Sequence, residues 1–292
     1  MTGRDKRKAK RVLQRVCLYV AVVLIVLTIL LPYSWMVISS ISTKAELLSK
    51  PVHFFPTHPT LQNYKDMIFG TGKTTGSAAQ QFVMACKNSL IVSLAVTVIS
   101  LFVGLFAAFS FSRYKFIGKD LSLNTILFVQ MIPPIAILIP LYIVMLRLNM
   151  MDKLPTLIIV DLTFTLPFVI WIMKGYLDGI PVDLEESAMI DGCGRIGAFV
   201  KVILPIASTG LASTTIFAFI IAWNEFFFAS NFTSTLAAKT LPVLITEFSS
   251  KFGSDFILTS TSGVMASLPP VLCALIFQKY IVSGLSSGAI KG

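Results

Sequence analysis

The sequence predicts an all-α membrane protein, a bundle of about six transmembrane helices with a short helical segment at the cytoplasmic surface. The chain is 55% hydrophobic, its mean hydropathy is +0.82, and only 13% of its residues are charged, whereas a soluble domain carries roughly 25%. Six apolar runs reach or exceed the roughly 20 residues that a helix needs to cross a bilayer. They span 16–38, 89–111, 122–146, 154–173, 209–230 and 258–281.

The distribution of basic residues predicts that both termini are cytoplasmic. Residues 1–15 form a basic tail, and 15 of the 24 Lys and Arg residues fall in the segments that this topology places inside, as the positive-inside rule requires. The remaining residues, 16–292, form a single transmembrane domain with an outer loop at 39–88 and an inner loop at 178–206. The net charge of +10 therefore indicates a membrane flank and gives no reason to expect nucleic acid.

Enzyme and metal chemistry find little support in the residues. The four cysteines are scattered, and the two histidines, His53 and His58, share one polar loop, so neither a disulfide framework nor a metal site is expected. Residues 70–74 resemble the end of a phosphate-binding loop, but Met67 stands where the pattern needs its first glycine. No catalytic residue, metal ligand or cofactor is expected in this chain.

Two predicted spans contain adjacent prolines, Pro133–Pro134 and Pro269–Pro270. Each pair removes backbone donors and is expected to kink its helix. In a membrane the freed carbonyls must be satisfied by protein or by a polar cavity, so both helices are expected to face the bundle interior. A simple packing kink is the alternative.

The inner loop contains a predicted helix–turn–helix. Asp183 and Glu186 are placed to form a capping box, and Asp191-Gly192 is expected to end the first helix. A second helix is predicted over about 195–204, ended by Pro205, with an apolar face that consists of Ile196, Phe199, Val200 and Ile203. The acidic residues of the loop suit an anionic inner leaflet poorly, which favours a protein partner over a helix that lies on lipid.

The same segment resembles the EAA motif of binding-protein-dependent ABC importer permeases. The pattern E-A-A, three residues, G, nine residues, I-x-L-P falls on Glu186-Ser187-Ala188, Gly192 and Val202-Ile203-Leu204-Pro205. Ser187 and Val202 depart from the pattern in type but not in size class. Asp191 and Phe199 also fit the family. Residues 178–206 are called the EAA loop below.

Further residues extend the resemblance over nearly the whole chain. Trp223-Asn224-Glu225-Phe226 looks like the W-N-E-F of the carbohydrate branch, Thr240-Leu241-Pro242 follows it, and the segment 278–292 resembles the end of MalG-like permeases. This resemblance implies a bacterial inner-membrane permease for a sugar, an oligosaccharide or a related polyol.

The resemblance also implies the partners and the coupling residues. Two ATPase subunits would bind ATP and Mg, a second MalF-like permease would complete a heterodimeric pore, and an extracytoplasmic binding protein would deliver the substrate. The EAA loop would dock on an ATPase subunit and drive alternating access. The expected coupling residues are Asp183, Glu186, Ser187, Ala188, Asp191, Gly192, Phe199, Val202, Leu204 and Pro205.

Polar residues within apolar spans are candidates for the substrate path because each is costly unless it is used or paired. The candidates are Asn88, Gln130, Asp161, Trp223, Asn224 and Glu225. Asp161 is the most unusual, and its alternative role is a pair with another helix or with a cationic group, including one on the partner permease. Trp223 could stack on a sugar ring or anchor the helix at the membrane interface.

Three other functions compete with this interpretation. An ion-coupled secondary transporter would need inverted repeats and carboxylates near the membrane midplane. The sequence shows no repeat, and only Asp161 is a candidate for such a carboxylate. An intramembrane enzyme lacks paired catalytic residues in the spans. A permease for amino acids, peptides or ions stays within the family, but the W-N-E-F and C-terminal segments favour a carbohydrate.

Overall fold

The computed structural model describes residues 3–49, 54–70, 76–251 and 255–289. His53, most of the phosphate-loop-like stretch at 70–74 and the final residues 290–292 lie outside this range. The chain divides into two compact units: the first comprises residues 1–79 and 248–265, and the second comprises residues 80–247 and 266–292.

The described residues are helical and contain no strand. Apart from one π-helical turn at Phe199–Ile203, the elements are α1 (Gly3–Ile41), α2 (Lys44–Leu47), α3 (Gln62–Phe69), α4 (Gly76–Arg113), α5 (Lys119–Gln130), α6 (Pro134–Arg147), α7 (Leu154–Asp178), α8 (Asp183–Ile190), α9 (Arg195–Ala198), α10 (Leu204–Ile206), α11 (Ser208–Trp223), α12 (Phe227–Phe232), α13 (Leu241–Lys251) and α14 (Phe256–Ala289). Five helical segments are long and apolar enough to cross a membrane, and the bent pair α5 and α6 gives a sixth when it is counted as one span. The predicted fold class is confirmed.

The third predicted span is wrong in detail, because it is broken in two. The pair α5 and α6 bends by 96°, where the sequence predicted one kinked helix over 122–146. Pro133 adopts φ −58°, ψ 132° as the N-cap of α6, and Pro134 begins that helix. The first half, α5, ends at Gln130. A residue that precedes proline is driven out of the helical region, so Ile132 and Pro133 both disfavour the helix, and α6 starts at Pro134.

The second span begins earlier than expected. Residues 76–88, predicted as the end of the outer loop, form the first turns of α4. They include Ala78, Ala79, Phe82 and Ala85, which are buried, and the segment contains no proline. Apolar side chains that pack on protein extend the helix beyond the run that hydropathy alone detects.

The first unit places α2 and α3 after the end of α1. The Glu46 carboxylate accepts hydrogen bonds from the Thr57 hydroxyl and from the backbone N–H groups of Thr57 and His58. The bond from Thr57, with these backbone bonds, lowers the pKa of Glu46 to about 2. Asn63 donates to the carbonyls of Ser40 and Ser42, which ties α3 to the end of α1.

The second unit is built on α7 and α11. Their close approach depends on Gly210, where a Cβ atom would lie 2.5 Å from the Tyr176 ring. Also on α7, Val169 would lie 2.7 Å from a Cβ atom at Gly104 of α4. Small residues let helix backbones approach closely within a membrane bundle, and this packing positions both the EAA loop and a cavity described below.

Candidate functional site

The EAA loop forms a helix, a tight turn and a second helix that begins as α9. The first helix, α8, ends at Ile190, and Gly192 follows with φ +90°. The backbone N–H groups of Gly192 and Cys193 donate to the carbonyls of Met189 and Ala188, at 3.1 and 3.0 Å. A left-handed residue at this position is normally glycine, so the predicted stop is confirmed.

The predicted capping box is absent. Val182 is the N-cap of α8, and it has helical angles (φ −67°, ψ −28°) with no side-chain cap bond. Asp183 is therefore already the first helical residue, and its carbonyl accepts the Ser187 hydroxyl bond at 2.7 Å. A capping carboxylate must precede the helix in extended geometry, so Asp183 lies one position too late. The carboxylates of Asp183 and Glu186 still interact favourably with the positive N-terminal end of the α8 helix dipole.

Pro205 does not end the second helix, contrary to prediction. The chain passes from α9 into the π-helical turn Phe199–Ile203, and α10 continues to Ile206 with Pro205 in its first turn. The N–H of Leu204 bonds to the carbonyl of Phe199. Proline clashes with the carbonyl four residues earlier, and a wider π-helical turn accommodates that conflict.

The π-helical turn also divides the predicted apolar face of the second helix. Phe199 and Ile203 are buried, whereas Val200 is exposed and Ile196 is 76% exposed. The Phe199 ring packs 4.3 Å from that of Phe109 on α4. The loop therefore has an inner side that packs on the bundle and an outer apolar side that nothing in the described chain covers.

A buried ion pair that the sequence analysis missed anchors α8. The Arg113 Nε donates to the Glu185 Oε2 at 3.1 Å, and the two side chains are 7% and 8% exposed. Arg113 also donates to the Ile180 carbonyl at 3.0 Å. This contact joins the end of α4 to the start of the EAA loop. A displacement of α8 would therefore also displace the end of α4.

The outer side of the EAA loop is a mixed apolar and acidic surface. Ile190 is 86% exposed, and Ile196 and Leu184 are also exposed. The acidic members Asp183, Glu186 and Asp191 are exposed as well. Among the remaining predicted coupling residues, Ser187 is exposed, Ala188 is buried, and Val202, Leu204 and Pro205 are intermediate or exposed. This outer side is called the coupling surface below.

A second candidate site is a cavity of about 370 Å³ in the second unit. It brings together two of the predicted substrate-path residues, Asp161 of α7 and Glu225 between α11 and α12. Its wall consists of Pro134, Ile135, Asp161, Phe164, Thr165, Ile221, Ala222, Glu225, Phe227 and Phe228. Asp161 and Thr165 are 4% and 1% exposed, and within the described chain neither the Oδ1 of Asp161 nor the hydroxyl of Thr165 has a hydrogen-bond partner.

Glu225 has a structural role at the same cavity. Its carboxylate accepts hydrogen bonds from the backbone N–H groups of Phe228 and Ala229, at 2.7 and 2.9 Å. These bonds satisfy the first donors of α12, the role of a helix cap. Asp161 is not held in this way, and no cationic side chain of the described residues lines the cavity with it.

The other substrate-path candidates do not line this cavity. The Asn88 amide donates to the carbonyls of Leu236, Ala237 and Lys239 and holds that segment against α4. Gln130 donates to the Phe164 carbonyl at 2.8 Å, which ties the broken end of α5 to α7. Asn224 donates to the carbonyl of Ile220 within its own helix.

Trp223 supplies a hydrogen-bond donor in place of one that the second proline pair lacks. Pro270 has no N–H for the carbonyl of Ala266, and the Trp223 indole Nε1 donates to that carbonyl at 3.0 Å. Trp223 is 3% exposed. α14 runs on as one helix through Pro269 and Pro270, so this pair does not break its span in two. A neighbouring donor can replace the lost backbone bond of a membrane helix.

Replacing Trp223 by phenylalanine is expected to leave the Ala266 carbonyl unsatisfied in an apolar setting. The cost is roughly 1–3 kcal/mol, seen as a lower apparent melting temperature of the purified protein. Trp171→Phe is the matched control, because Trp171 is 49% exposed and should change the melting temperature little. Equal effects of the two substitutions would contradict the role assigned to the indole N–H.

No group of three or more candidate metal ligands occurs within the described ranges. The cavity offers hydrogen-bonding groups and apolar contacts, and the coupling surface offers charged groups and apolar contacts.

Residues 100–287 match the family described as "Binding-protein-dependent transport system inner membrane component". The chain is 34% identical to the trehalose/maltose transport system permease protein MalG of Thermococcus litoralis, over 97% of this chain and 99% of that protein. It is 33% identical to the sulfoquinovosyl glycerol transport system permease protein SmoH of Agrobacterium fabrum, over 94% and 93%.

Among solved structures, the fold matches a bacterial ABC transporter involved in the import of the acidic polysaccharide alginate. The TM-score is 0.78 with 21% identity, and the match covers 96% of this chain and 99% of that one. The substrates in the names of these proteins differ in charge. Similarity alone therefore does not identify the substrate of this chain.

Proposed function

The chain belongs to the family of inner membrane components of binding-protein-dependent transport systems, and on this premise we infer that it is the permease subunit of an ABC importer for a carbohydrate. The observation that carries this conclusion is the sequence match to sugar permeases over nearly the full length of both chains. The protein is a multi-pass inner membrane component and belongs to a family of permeases, not of enzymes. Nothing supports the ion-coupled secondary transporter.

We further propose that a separate ATPase docks on the coupling surface. An apolar patch at Ile190 and Ile196 that is flanked by acidic residues suits a protein partner with an apolar groove and basic rim. The buried Arg113–Glu185 pair then makes α8 and the end of α4 move together. Closure of the ATPases around ATP and Mg would shift the bundle between two arrangements, a partner-driven change of population.

The remaining partners follow from the same proposal. A second, MalF-like permease would pack on this chain to form a heterodimeric pore, with one ATPase subunit under each permease. Both termini would lie in the cytoplasm with the EAA loop. The binding protein that the family name requires would deliver the carbohydrate to the opposite side, and membrane lipid would cover the rest of the exposed apolar surface.

Gly192→Ala is expected to uncouple ATP hydrolysis from uptake while the chain stays in the membrane. Its φ of +90° costs an alanine roughly 1–2 kcal/mol, which shifts α8 relative to α9 although the added Cβ meets no neighbour. Gly194→Ala is the matched control, since Gly194 has φ −67° and equally open surroundings. Carbohydrate uptake and ATP hydrolysis are measured in proteoliposomes that contain the whole transporter.

The docking proposal has its own charge test. Glu186→Lys should weaken association with the ATPase, measured by co-purification and by ATP hydrolysis per molecule transported. Asp120→Lys is the control, because Asp120 is also an acid in the first turn of a helix but lies outside the EAA loop. If Gly192→Ala and Glu186→Lys both behaved like their controls, the ATPase would have to dock elsewhere.

A further inference from the structure

The cavity at the break between α5 and α6 has the composition of a ligand site. Its walls are apolar and aromatic, and its few polar groups are Asp161, Thr165 and Glu225. A volume of about 370 Å³ falls within the roughly 300–1,000 Å³ of small-molecule sites, which combine such walls with a few convergent polar groups. The break itself lies at the rim, because Pro134 and Ile135 line the cavity.

The unpaired polar atoms of the cavity wall indicate which groups a ligand would carry. Buried polar groups in proteins are nearly always hydrogen-bonded, yet the Oδ1 of Asp161 and the hydroxyl of Thr165 have no partner among the described residues. These residues are one helical turn apart on α7 and line the same space. A ligand that satisfied both atoms would hydrogen-bond Asp161 and fit beside a hydroxyl group.

The charge and the aromatic rings narrow the ligand further. Two carboxyl groups line the cavity, with no Lys, Arg or His from the described part of the chain, so an anionic group there would be buried without a cation to pair with, which is unfavourable. The rings of Phe164 and Phe228 stack on each other at 5.1 Å and both line the wall. Flat apolar faces beside an acceptor suit a sugar ring, whose hydroxyls donate at its edge and whose C–H faces are apolar.

We propose that this cavity is a subsite for one ring of the transported carbohydrate, that it takes a neutral or amino sugar, and that it rejects a uronate or sulfonated sugar. This proposal rests on the carbohydrate permease function stated above and adds a direct contact by this subunit. Asp161 accepts hydrogen bonds from ring hydroxyl or ammonium groups, and Thr165 bonds an adjacent hydroxyl. Glu225 holds α12 in place through its bonds to the backbone N–H groups of Phe228 and Ala229.

The test uses the complete transporter in lipid nanodiscs. The native cysteines Cys17, Cys86, Cys193 and Cys273 are replaced by alanine, and a single cysteine replaces Ile135, an exposed residue of the cavity wall. The rate of its modification by N-ethylmaleimide is measured with maltose, with deacetylated chitobiose, which is cationic, and with digalacturonate, which is anionic. These probes have similar size and differ in charge.

Maltose or deacetylated chitobiose should slow the modification, and digalacturonate should not. Asp161→Asn and, as a second variant, Thr165→Val should each raise the concentration for half-protection about tenfold, the usual loss for a hydrogen bond to a charged or buried group. Asp120→Asn should change nothing. Equal protection by digalacturonate, no protection by either other sugar, or protection that is indifferent to both variants would overturn the proposal.

The same preparations separate this subsite from the general function. ATP-driven uptake of the carbohydrate that the cognate binding protein delivers is measured in parallel. Uptake without cavity protection would reject the subsite alone, whereas a complex that transports no carbohydrate would reject the permease function as well. Slow modification with and without sugar would mean that the second permease fills the cavity, which also rejects the subsite.

Discussion

Replacing Arg113 by methionine is expected to destabilise the protein by about 3–5 kcal/mol, because it leaves a buried carboxylate without its cation. Glu185 is 8% exposed at its side chain, so water cannot replace the guanidinium. The Ile180 carbonyl loses a donor in the same substitution. The apparent melting temperature of the purified protein should fall sharply, and uptake should be lost at temperatures where the variant still inserts into the membrane.

The double variant Arg113→Met/Glu185→Met distinguishes charge from packing. Apolar replacement of both members of a buried pair is often neutral, so stability should largely return. Uptake should stay low if the ion pair sets the position of α8 as well as its stability. Lys174→Met is the control, since the Lys174–Asp178 pair is more exposed, at 20% and 33%, and such pairs contribute at most about 1 kcal/mol. A loss in Arg113→Met no larger than in this control would contradict the account.

Gly210→Leu is expected to separate α7 from α11 and to cost at least about 3 kcal/mol, at the upper end of overpacking effects. Even a Cβ atom at this position would lie 2.5–2.8 Å from atoms of the Tyr176 ring, and that ring is confined between two helices. The helices carry the cavity on one side and lead into the EAA loop on the other. Thermal stability and uptake should therefore fall together.

The matched variant is Gly175→Leu, on the same pair of helices. Gly175 is exposed, and a Cβ atom added there would have no atom of the described chain within 4 Å, so leucine should be tolerated. Tyr176→Ala combined with Gly210→Leu should recover part of the stability, because it removes the ring that leucine would strike. If Gly210→Leu were as stable as Gly175→Leu, the close approach of α7 and α11 would not depend on glycine.

Hydropathy predicted the number and approximate place of the spans, because burial in lipid needs only length and apolar composition. It did not predict how Pro133–Pro134 and Pro269–Pro270 would differ. The first pair breaks its span by 96°, whereas the second stays within one helix with an indole donor from another span. That outcome depends on which helices are neighbours, and no local pattern contains this information.

The geometry of the EAA loop was predictable where its cause is local. Gly192 takes the left-handed turn expected from its position after the first helix. The sequence did not predict which of the adjacent acids, Glu185 or Glu186, is buried, because they are the same residue type. Their difference comes from Arg113, 72 residues away along the chain. The same holds for the cavity, where Asp161 stood out as an acid in a span but Thr165 did not.

Uptake by the reconstituted complex tests the central claim most directly. The chain, a second permease and the ATPase subunits are placed in proteoliposomes with the binding protein, and accumulation of its carbohydrate is followed with and without ATP. The account predicts accumulation that needs ATP and the ATPase subunits and that Gly192→Ala abolishes. Accumulation driven by an ion gradient in liposomes without the ATPase, or ATP hydrolysis by the purified chain alone, would contradict it.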